Sequence, residues 1–349
     1  MLRRCGAAAV LSVALLNAGV RADSVDDYVR AQMQALHLPA VSFAIVEDGK
    51  VARIGAYGLA DVKRGTQASA ATVYKIGSVS KQFIATAIML LVQDGRLDVD
   101  RPVSRYFEGT PPAWQAITVR HLLTHTAGLV RESPAFDPKK ATPDAEIIKA
   151  LYAVPLRFQP GSKWEYSNSG YYVLAHIVTM VSGQPWTTFL ETHVFRPAGM
   201  RLTVPTNVRE SPPNRAVGYT GNDNRKPAPD WLALRPSGAF LSTVGDLATW
   251  DALLDTDRIL TEKSRREMWA PVRLNDGTTY PYGFGWHTDT QKDGRRVIWH
   301  GGGLPGFASY VARYLDDRVS VIVLTNGDDV DLAAVGRGLA DAYRKTRPD

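Results

Sequence analysis

Cysteine is almost missing from this chain. Its 349 residues include one, Cys5, so no internal disulfide can form and no multi-cysteine metal site can be built. Glycine and proline, at 29 and 21 residues, are too sparse for a collagen-like or low-complexity chain, and no longer period recurs, which excludes solenoids and propellers. Past residue 22 no apolar run reaches the roughly 20 residues that a membrane-spanning helix needs. Charge is not concentrated either. Basic pairs such as Lys139-Lys140 and Arg265-Arg266 are scattered, without the stripe of Lys, Arg and aromatic residues that a nucleic-acid groove requires, so nucleic acid is discounted as a partner.

What is present is an ordinary globular balance, 45% apolar and 22% charged, in a chain long enough to bury a large core. Residues 1–22 stand apart. Arg3 and Arg4 precede an apolar run from Gly6 to about Val20, and Val20-Arg21-Ala22 leads to a cut ahead of Asp23, the pattern of an export signal. The run is short for a membrane anchor, and Cys5 lies too early for a lipoprotein signal. Loss of Arg3, Arg4 and Arg21 with this segment lowers the formal charge from +6 to +3, weak support for any charged partner. The expectation is a periplasmic or secreted protein with no stable membrane insertion after cleavage.

Helical spacing of Val25, Tyr28, Val29, Met33 and Leu36 predicts an opening helix over 24–36. Strand-like runs at 41–46 and 51–57 flank Asp48-Gly49, a tight-turn signal. From Ser78 to about Gln93 the apolar residues cover most of a helix circumference, which predicts a helix buried on nearly all sides and stopped by Asp94-Gly95. Further helices are predicted at 119–126, 144–153 and 168–182 and from Pro185, then a long loop over 210–230 and a helix capped by Thr243. Past Pro281 the period becomes two, with strands at 297–300, 308–314 and 319–325, and a closing helix spans about 331–344.

Strands at both ends and helices between them predict an α/β (α+β) fold in which an antiparallel sheet is assembled from both chain ends, flanked by helices, beside a mostly helical insert. The expected division is a signal peptide over 1–22 and a single catalytic unit over 23–349. Within that unit, 23–77 and about 206–349 form the sheet-containing lobe and about 78–205 the helical lobe. A cleft between the lobes is the expected ligand site.

Three short strings carry chemistry. Ser78-Val79-Ser80-Lys81 puts a hydroxyl and an amine on one face of a helix start, and a lysine in a dry pocket favours its neutral, proton-accepting form. Tyr166-Ser167-Asn168 precedes another apolar helix; a phenol near a lysine can exchange protons, and Asn168 can orient Lys81 and a substrate amide. His300-Gly301-Gly302-Gly303 ends a predicted strand, where glycines let a ligand approach backbone N–H groups that stabilise an oxyanion. Taken singly, each string is also compatible with a helix cap, a core tyrosine or a glycine-rich bend.

In this order the three resemble the serine β-lactamase-related superfamily: class C β-lactamases, D-alanyl-D-alanine carboxypeptidases and family VIII esterase-like proteins. That pattern is Ser-x-x-Lys, Tyr-x-Asn and a Lys- or His-led tripeptide ending in Gly. The resemblance runs from about 38 to 326 and includes Val119-Arg-His-Leu-Leu-Thr-His-Thr-Ala-Gly-Leu129, Leu241-Ser-Thr-Val-Gly-Asp-Leu-Ala-Thr-Trp250 and Tyr282-Gly-Phe-Gly-Trp286. It implies a β-lactamase/transpeptidase-like fold with Ser78 as the acylated nucleophile and Lys81 and Tyr166 as the proton-transfer pair. It further implies Asn168 as a ligand of Lys81 and substrate, the strand from His300 to Gly303 as the substrate wall, and the amides of Ser78 and Gly303 as the oxyanion hole. Which of Lys81 and Tyr166 takes the first proton stays open.

One departure bears on substrate. The middle of the third motif usually carries Thr or Ser, whose hydroxyl helps hold a substrate carboxylate; here it is Gly301. Loss of such a hydrogen bond costs about 1.5 to 3 kcal/mol. Strong β-lactamase activity is therefore doubtful unless Arg295, Arg296 or a loop residue substitutes. His300-Gly-Gly-Gly also matches the oxyanion string of α/β-hydrolase lipases, but the Gly-x-Ser-x-Gly elbow of that fold is missing. His121-Leu-Leu-Thr-His125 has zinc-helix spacing without the glutamate and is read as structural, and the glycine run opens no helix that would bind phosphate. The expectation is an exported serine hydrolase without metal or cofactor, acting on a small-molecule or peptide ester or amide. A non-catalytic exported protein that is acylated without turnover is the alternative.

Overall fold

A computed structural model describes residues 24–207, 210–221, 223–231 and 235–347. The export signal assigned to 1–22 lies outside the described residues. Helix α1 (Ser24–Ala35) leads into strands β1 (Ala40–Glu47), β2 (Lys50–Asp61) and the short β3 (Thr66–Gln67). Helix α2 (Lys81–Gln93) follows, then α3 (Ser169–Ser182) and α4 (Val244–Leu253), with shorter helices between them. Strands β4 (His287–Thr290), β5 (Arg296–Leu304), β6 (Phe307–Tyr314) and β7 (Val319–Thr325) come next, and α5 (Leu332–Arg344) closes the chain. The seven strands form one antiparallel sheet in the order β4-β5-β6-β7-β1-β2-β3, so the first and last strands of the chain meet at its centre.

The central strands are apolar at successive positions because both faces of the sheet are covered. Alternate side chains of a strand point to opposite faces. Val41, Phe43 and Ile45 of β1 with Val319, Val321 and Val323 of β7 pack under α1 and α5, where they meet Val25, Val29, Val335 and Leu339. Ala44, Val46, Ile322 and Leu324 face the other way, into the larger core that holds α2 and α3. Phe83 sits at the heart of that core, its ring 5.1 Å from Phe195 and 5.3 Å from Trp250. No helix among the described residues is long and apolar enough to cross a membrane.

Local differences from the sequence reading have physical causes. The helix predicted from Ser78 begins as a tight 3₁₀ turn over Gly77–Ser80 and becomes α-helical at Lys81. The helix predicted over 119–126 ends at Leu123, because His125 takes a left-handed backbone conformation with φ of 61°. Thr243 caps α4 as expected, accepting from the Asp246 amide, but the Asp246 carboxylate turns to Leu202 N and Thr203 Oγ1 instead of completing a capping box. The loop over 210–230 contains a small strand pair, Tyr219–Thr220 with Lys226–Pro227. The strand predicted to end at His300 runs on to Leu304, with Gly301, Gly302 and Gly303 paired to Tyr310, Ser309 and Ala308, and the reversal falls at Gly306.

The sheet and α4 are joined by a buried ion pair: Arg313 of β6 reaches the Asp251 carboxylate at 2.6 Å, with side-chain exposures of 5% and 1%, and also contacts Asp255. Removal of one member of a buried pair leaves the other charge uncompensated. Arg313→Met is expected to destabilise the protein by about 3–5 kcal/mol, read as a lower urea midpoint at unchanged slope. A midpoint equal to wild type would show that the pair is not holding α4 to the sheet.

Candidate active site

Gly77 brings the Ser78–Lys81 string against the sheet. Its φ of +50° is a conformation that side chains rarely adopt, and a methyl group built on it would lie 2.9 Å from the Gly303 amide nitrogen. The converse contact is as tight. A methyl group on Gly302 would meet Ile76 O at 2.1 Å, Ser309 Oγ at 2.3 Å and the Ser78 amide nitrogen at 3.0 Å. The pairing of β4 with β5 ends at Trp299, which leaves the following residues of β5 unpaired on the side that faces the 3₁₀ turn. The amides of Ser78 and Gly303 are thereby brought to one end of the cleft, the geometry an oxyanion hole requires.

Lys81 is fully buried. Its Nζ lies 3.1 Å from Ser78 Oγ, 2.8 Å from Asn168 Oδ1 and 2.9 Å from the Ser237 carbonyl oxygen. Burial pushes its pKa well below that of an ordinary lysine; the Arg235 and Arg131 cations act in the same direction and Glu132 opposes them. The Tyr166 ring centroid is 4.7 Å from Nζ, and its phenol lies near enough to Ser78 for that hydroxyl to lower its pKa. Burial raises the Tyr166 pKa to about 12, although Ser78, Arg131 and Arg235 each pull it down. Asn168 donates from Nδ2 to Glu132 Oε1 at 2.6 Å, and the same carboxylate pairs with Arg235.

Ser78, Lys81, Tyr166 and Asn168 are brought together by their side chains, His300 lies with its ring 6.2 Å from that of Tyr166, and Gly301, Gly302 and Gly303 contribute backbone only. A methyl group at Gly301 would find only the Ser309 carbonyl, at 3.7 Å, so nothing occupies the space of the missing hydroxyl. Arg295 and Arg296 do not substitute: Arg295 is paired with Asp293 and Asp317, and Arg296 with Asp316, at the far end of the β5–β6 ladder. His121 belongs to a helix cap, its Nδ1 accepting from the Thr118 amide at 3.2 Å. His125 does not stay with it. Its ring lies 4.4 Å from that of Tyr166, packed beside the site.

Glu132, Arg235 and the Ser237 carbonyl were missed. A backbone acceptor leaves no trace in the sequence, and Glu132 and Arg235 lie 103 residues apart with no pattern linking them. The loop that carries Tyr166 is templated by the segment after His125. Glu165 N donates to His125 O, Ser167 Oγ to Val130 O, and Asn168 N and Ser169 N to Arg131 O.

A seven-stranded antiparallel sheet with a buried Ser-x-x-Lys turn beside a glycine strand defines the β-lactamase and penicillin-binding-protein class of folds. The chain belongs to the Beta-lactamase family, which matches residues 25–344. It is 32% identical over 304 residues to penicillin-binding protein 4* of Bacillus subtilis, an alignment covering 81% of this chain and 67% of that protein. A D-aminopeptidase of Gluconobacter oxydans is 27% identical, with coverage of 82% and 56%. The chain spans 60% of the length of a putative penicillin-binding protein of B. subtilis, PbpX, at 34% identity over 70% of this chain, so it is shorter than these relatives. Among solved structures, a penicillin-binding protein homologue from Pyrococcus abyssi superposes with a TM-score of 0.81 at 23% identity, covering 93% of this chain and 77% of that one. A D-amino acid amidase of Ochrobactrum anthropi gives 0.79 at 24% identity, covering 93% and 97%. At these identities the two structures show the fold.

The charges around Lys81 generate a pH prediction. A lowered pKa means that the neutral amine prevails above the folded value and is lost as pH falls through it, so activity that needs the amine shows an acid limb. Arg235→Gln removes the larger of two cationic influences and leaves only Arg131 against Glu132, which favours the ammonium and is expected to move that limb to higher pH. Glu132→Gln is expected to move it lower. Limbs that coincide in pH profiles of kcat/KM for the three proteins would refute the electrostatic account.

Proposed function

We propose that this protein is an exported serine hydrolase that cleaves an ester or amide through an acyl-enzyme on Ser78. The observation that carries the reading is the coordination of Lys81. A neutral amine has two N–H donors and one lone pair, and Nζ has two pure acceptors, Asn168 Oδ1 and Ser237 O, and one hydroxyl, Ser78 Oγ. In the neutral form that burial favours, both N–H groups are spent on Asn168 and Ser237 and the lone pair is left for the Ser78 hydroxyl proton; an ammonium would donate to Ser78 Oγ instead. Lys81 is then the first base, because the Tyr166 pKa near 12 keeps the phenol protonated at neutral pH.

In this mechanism Ser78 Oγ attacks the substrate carbonyl carbon as its proton passes to Lys81 Nζ, and the oxyanion settles between the amides of Ser78 and Gly303. Collapse of the tetrahedral intermediate breaks the bond to the leaving alcohol or amine. Tyr166 protonates that group and recovers a proton from Lys81. Water then attacks the acyl-enzyme, giving its proton to Lys81, and release of the acid returns a proton to Ser78. No step uses a metal or cofactor.

The open space at Gly301 and the engagement of Arg295 and Arg296 elsewhere favour substrates that do not rely on a carboxylate at that point. The names of the D-aminopeptidase relative and the D-amino acid amidase neighbour support D-amino-acid amides or peptides, with short-chain esters as a second class. A protein acylated without turnover needs the same amine for its acylation step, so the two readings part only at hydrolysis of the acyl-enzyme. Export rests on the composition of residues 1–22.

Ser78→Ala is expected to abolish covalent labelling by a fluorophosphonate in intact-mass spectra while the melting temperature is retained; equal labelling of the variant would overturn the assignment. Turnover of p-nitrophenyl butyrate or a D-amino-acid amide beyond one equivalent separates the hydrolase from the binder. Gly301 has room for a side chain and no positive φ, so Gly301→Ser is expected to fold and to accelerate acylation by a penicillin about 10- to 100-fold, the value of one hydrogen bond to a charged group. An unchanged acylation rate would show that this position does not govern carboxylate-bearing substrates.

A further inference from the structure

The Tyr166 loop and the glycine strand are the two sides of the cleft, and they are joined by three side chains in series. The Ser167 amide faces His125 Nδ1 at 3.2 Å; His125 Nε2 is 3.1 Å from Tyr282 Oη; Tyr282 Oη is 3.0 Å from His300 Nε2; and His300 Nδ1 is 2.7 Å from the Gly301 carbonyl oxygen. One end of the series is a backbone N–H, which can only donate. The other is a backbone carbonyl, which can only accept. With both rings neutral, hydrogen bonding through all four contacts has one polarity: His125 accepts at Nδ1 and donates from Nε2–H, Tyr282 donates to His300 Nε2, and His300 donates from Nδ1–H. His125 must be neutral to accept from the amide, and a neutral His300 then holds the opposite tautomer.

All three members are buried, which makes an unmet donor or acceptor here costly. Burial, reinforced by Lys81 and by neighbouring imidazoles, keeps both histidines well below an ordinary histidine pKa. His125 reaches its place from a left-handed backbone conformation, the kind of local strain that persists where the surroundings over-determine it. Tyr282 is placed by the glycines that follow it. A methyl group on Gly283 would lie 2.1 Å from Met268 O, and one on Gly285, at φ of +76°, would lie 3.0 Å from Lys81 O.

We infer that His125 and Tyr282 are positioning residues for the Ser78 reaction: with His300 they form a polarised hydrogen-bonded strap that sets the Tyr166–Asn168 loop at a fixed spacing from the oxyanion strand. The strap joins the residue between Tyr166 and Asn168 to the residue two before Gly303, so it fixes the proton-transfer side of the cleft against the oxyanion side. The inference rests on the acyl-transfer reading of Ser78, but its first test does not. Long-range proton–nitrogen correlation spectra of the ¹⁵N-histidine protein at pH 7 are expected to show His125 protonated at Nε2 only and His300 at Nδ1 only, in wild type and in Ser78→Ala alike. The same tautomer at both sites, or a charged ring at either, would overturn the strap even if Ser78 proves to be the nucleophile.

The second test is kinetic. Tyr282→Phe keeps the ring and removes both of its links to histidine, and is expected to lower kcat for p-nitrophenyl butyrate about 10- to 100-fold, with KM within about twofold, because sub-ångström misplacement acts on the chemical step. His300→Gln can accept from Tyr282 and donate to the Gly301 carbonyl, and is expected to retain clearly more activity than His300→Leu at matched melting temperature. Wild-type kcat in Tyr282→Phe, or equal loss in the two His300 variants, would overturn the positioning role. If Tyr282→Phe does not fold, the His300 pair and the tautomer assignment decide the matter.

Discussion

A lysine amine sealed from water is the constraint around which the molecule is arranged. A buried ammonium is costly, and the surroundings of Lys81 make it more so by adding two arginines while allowing it one carboxylate neighbour. The group resolves the conflict by favouring its neutral form, and its position at the start of α2 makes that form useful. Burial of Lys81 requires α2 to run through the interior, which in turn requires apolar side chains around nearly its whole circumference. Asn168 and Ser237 must come from other parts of the chain to meet the two donors.

The second demand is backbone proximity. Two amides from distant segments can converge only if the intervening side chains are removed, and Gly77 and Gly302 are where a single methyl group would collide with main-chain atoms. The sheet supports this approach from both ends of the chain: β5 is held through β6 and β7 to β1, which the first hairpin joins to β2. The glycine strand is thereby tied to the centre of the sheet. The loop carrying Tyr166 is templated by the segment after His125 and linked to β5 through His125, Tyr282 and His300. Polar burial and backbone closeness thus serve the same few atoms.

Much of this was legible before any coordinates. The apolar residues from Ser78 to about Gln93 announced an interior helix, the switch to period two past Pro281 announced the terminal strands, and Ser78, Lys81, Tyr166, Asn168 and His300–Gly303 stood out by type and order. Boundaries slipped where local chemistry overrode pattern. The strand predicted to end at His300 continues through the glycines to Leu304, because pairing with β6 holds them extended. The edge strand β4 was overlooked, since its polar sequence His287–Thr290 lies at an edge and needs little apolar patterning. His125 read as a helix residue, but a left-handed backbone ends that helix and turns its ring inward.

The order of residues by itself carried the family resemblance that points to serine acyl transfer, because a hydroxyl three residues from an amine, a phenol with an amide two positions on, and a run of glycines are properties of the chain. That order also determined the fold class, since strands at the termini and helices between them have few ways to bury their apolar faces. Only the tertiary structure decided which partners Lys81 meets, that Glu132 and Arg235 set its charge balance, and that Tyr282 joins two histidines 175 positions apart in the sequence. Those outcomes depend on distance and direction between segments that share no local pattern, and distance and direction exist only once the chain has folded.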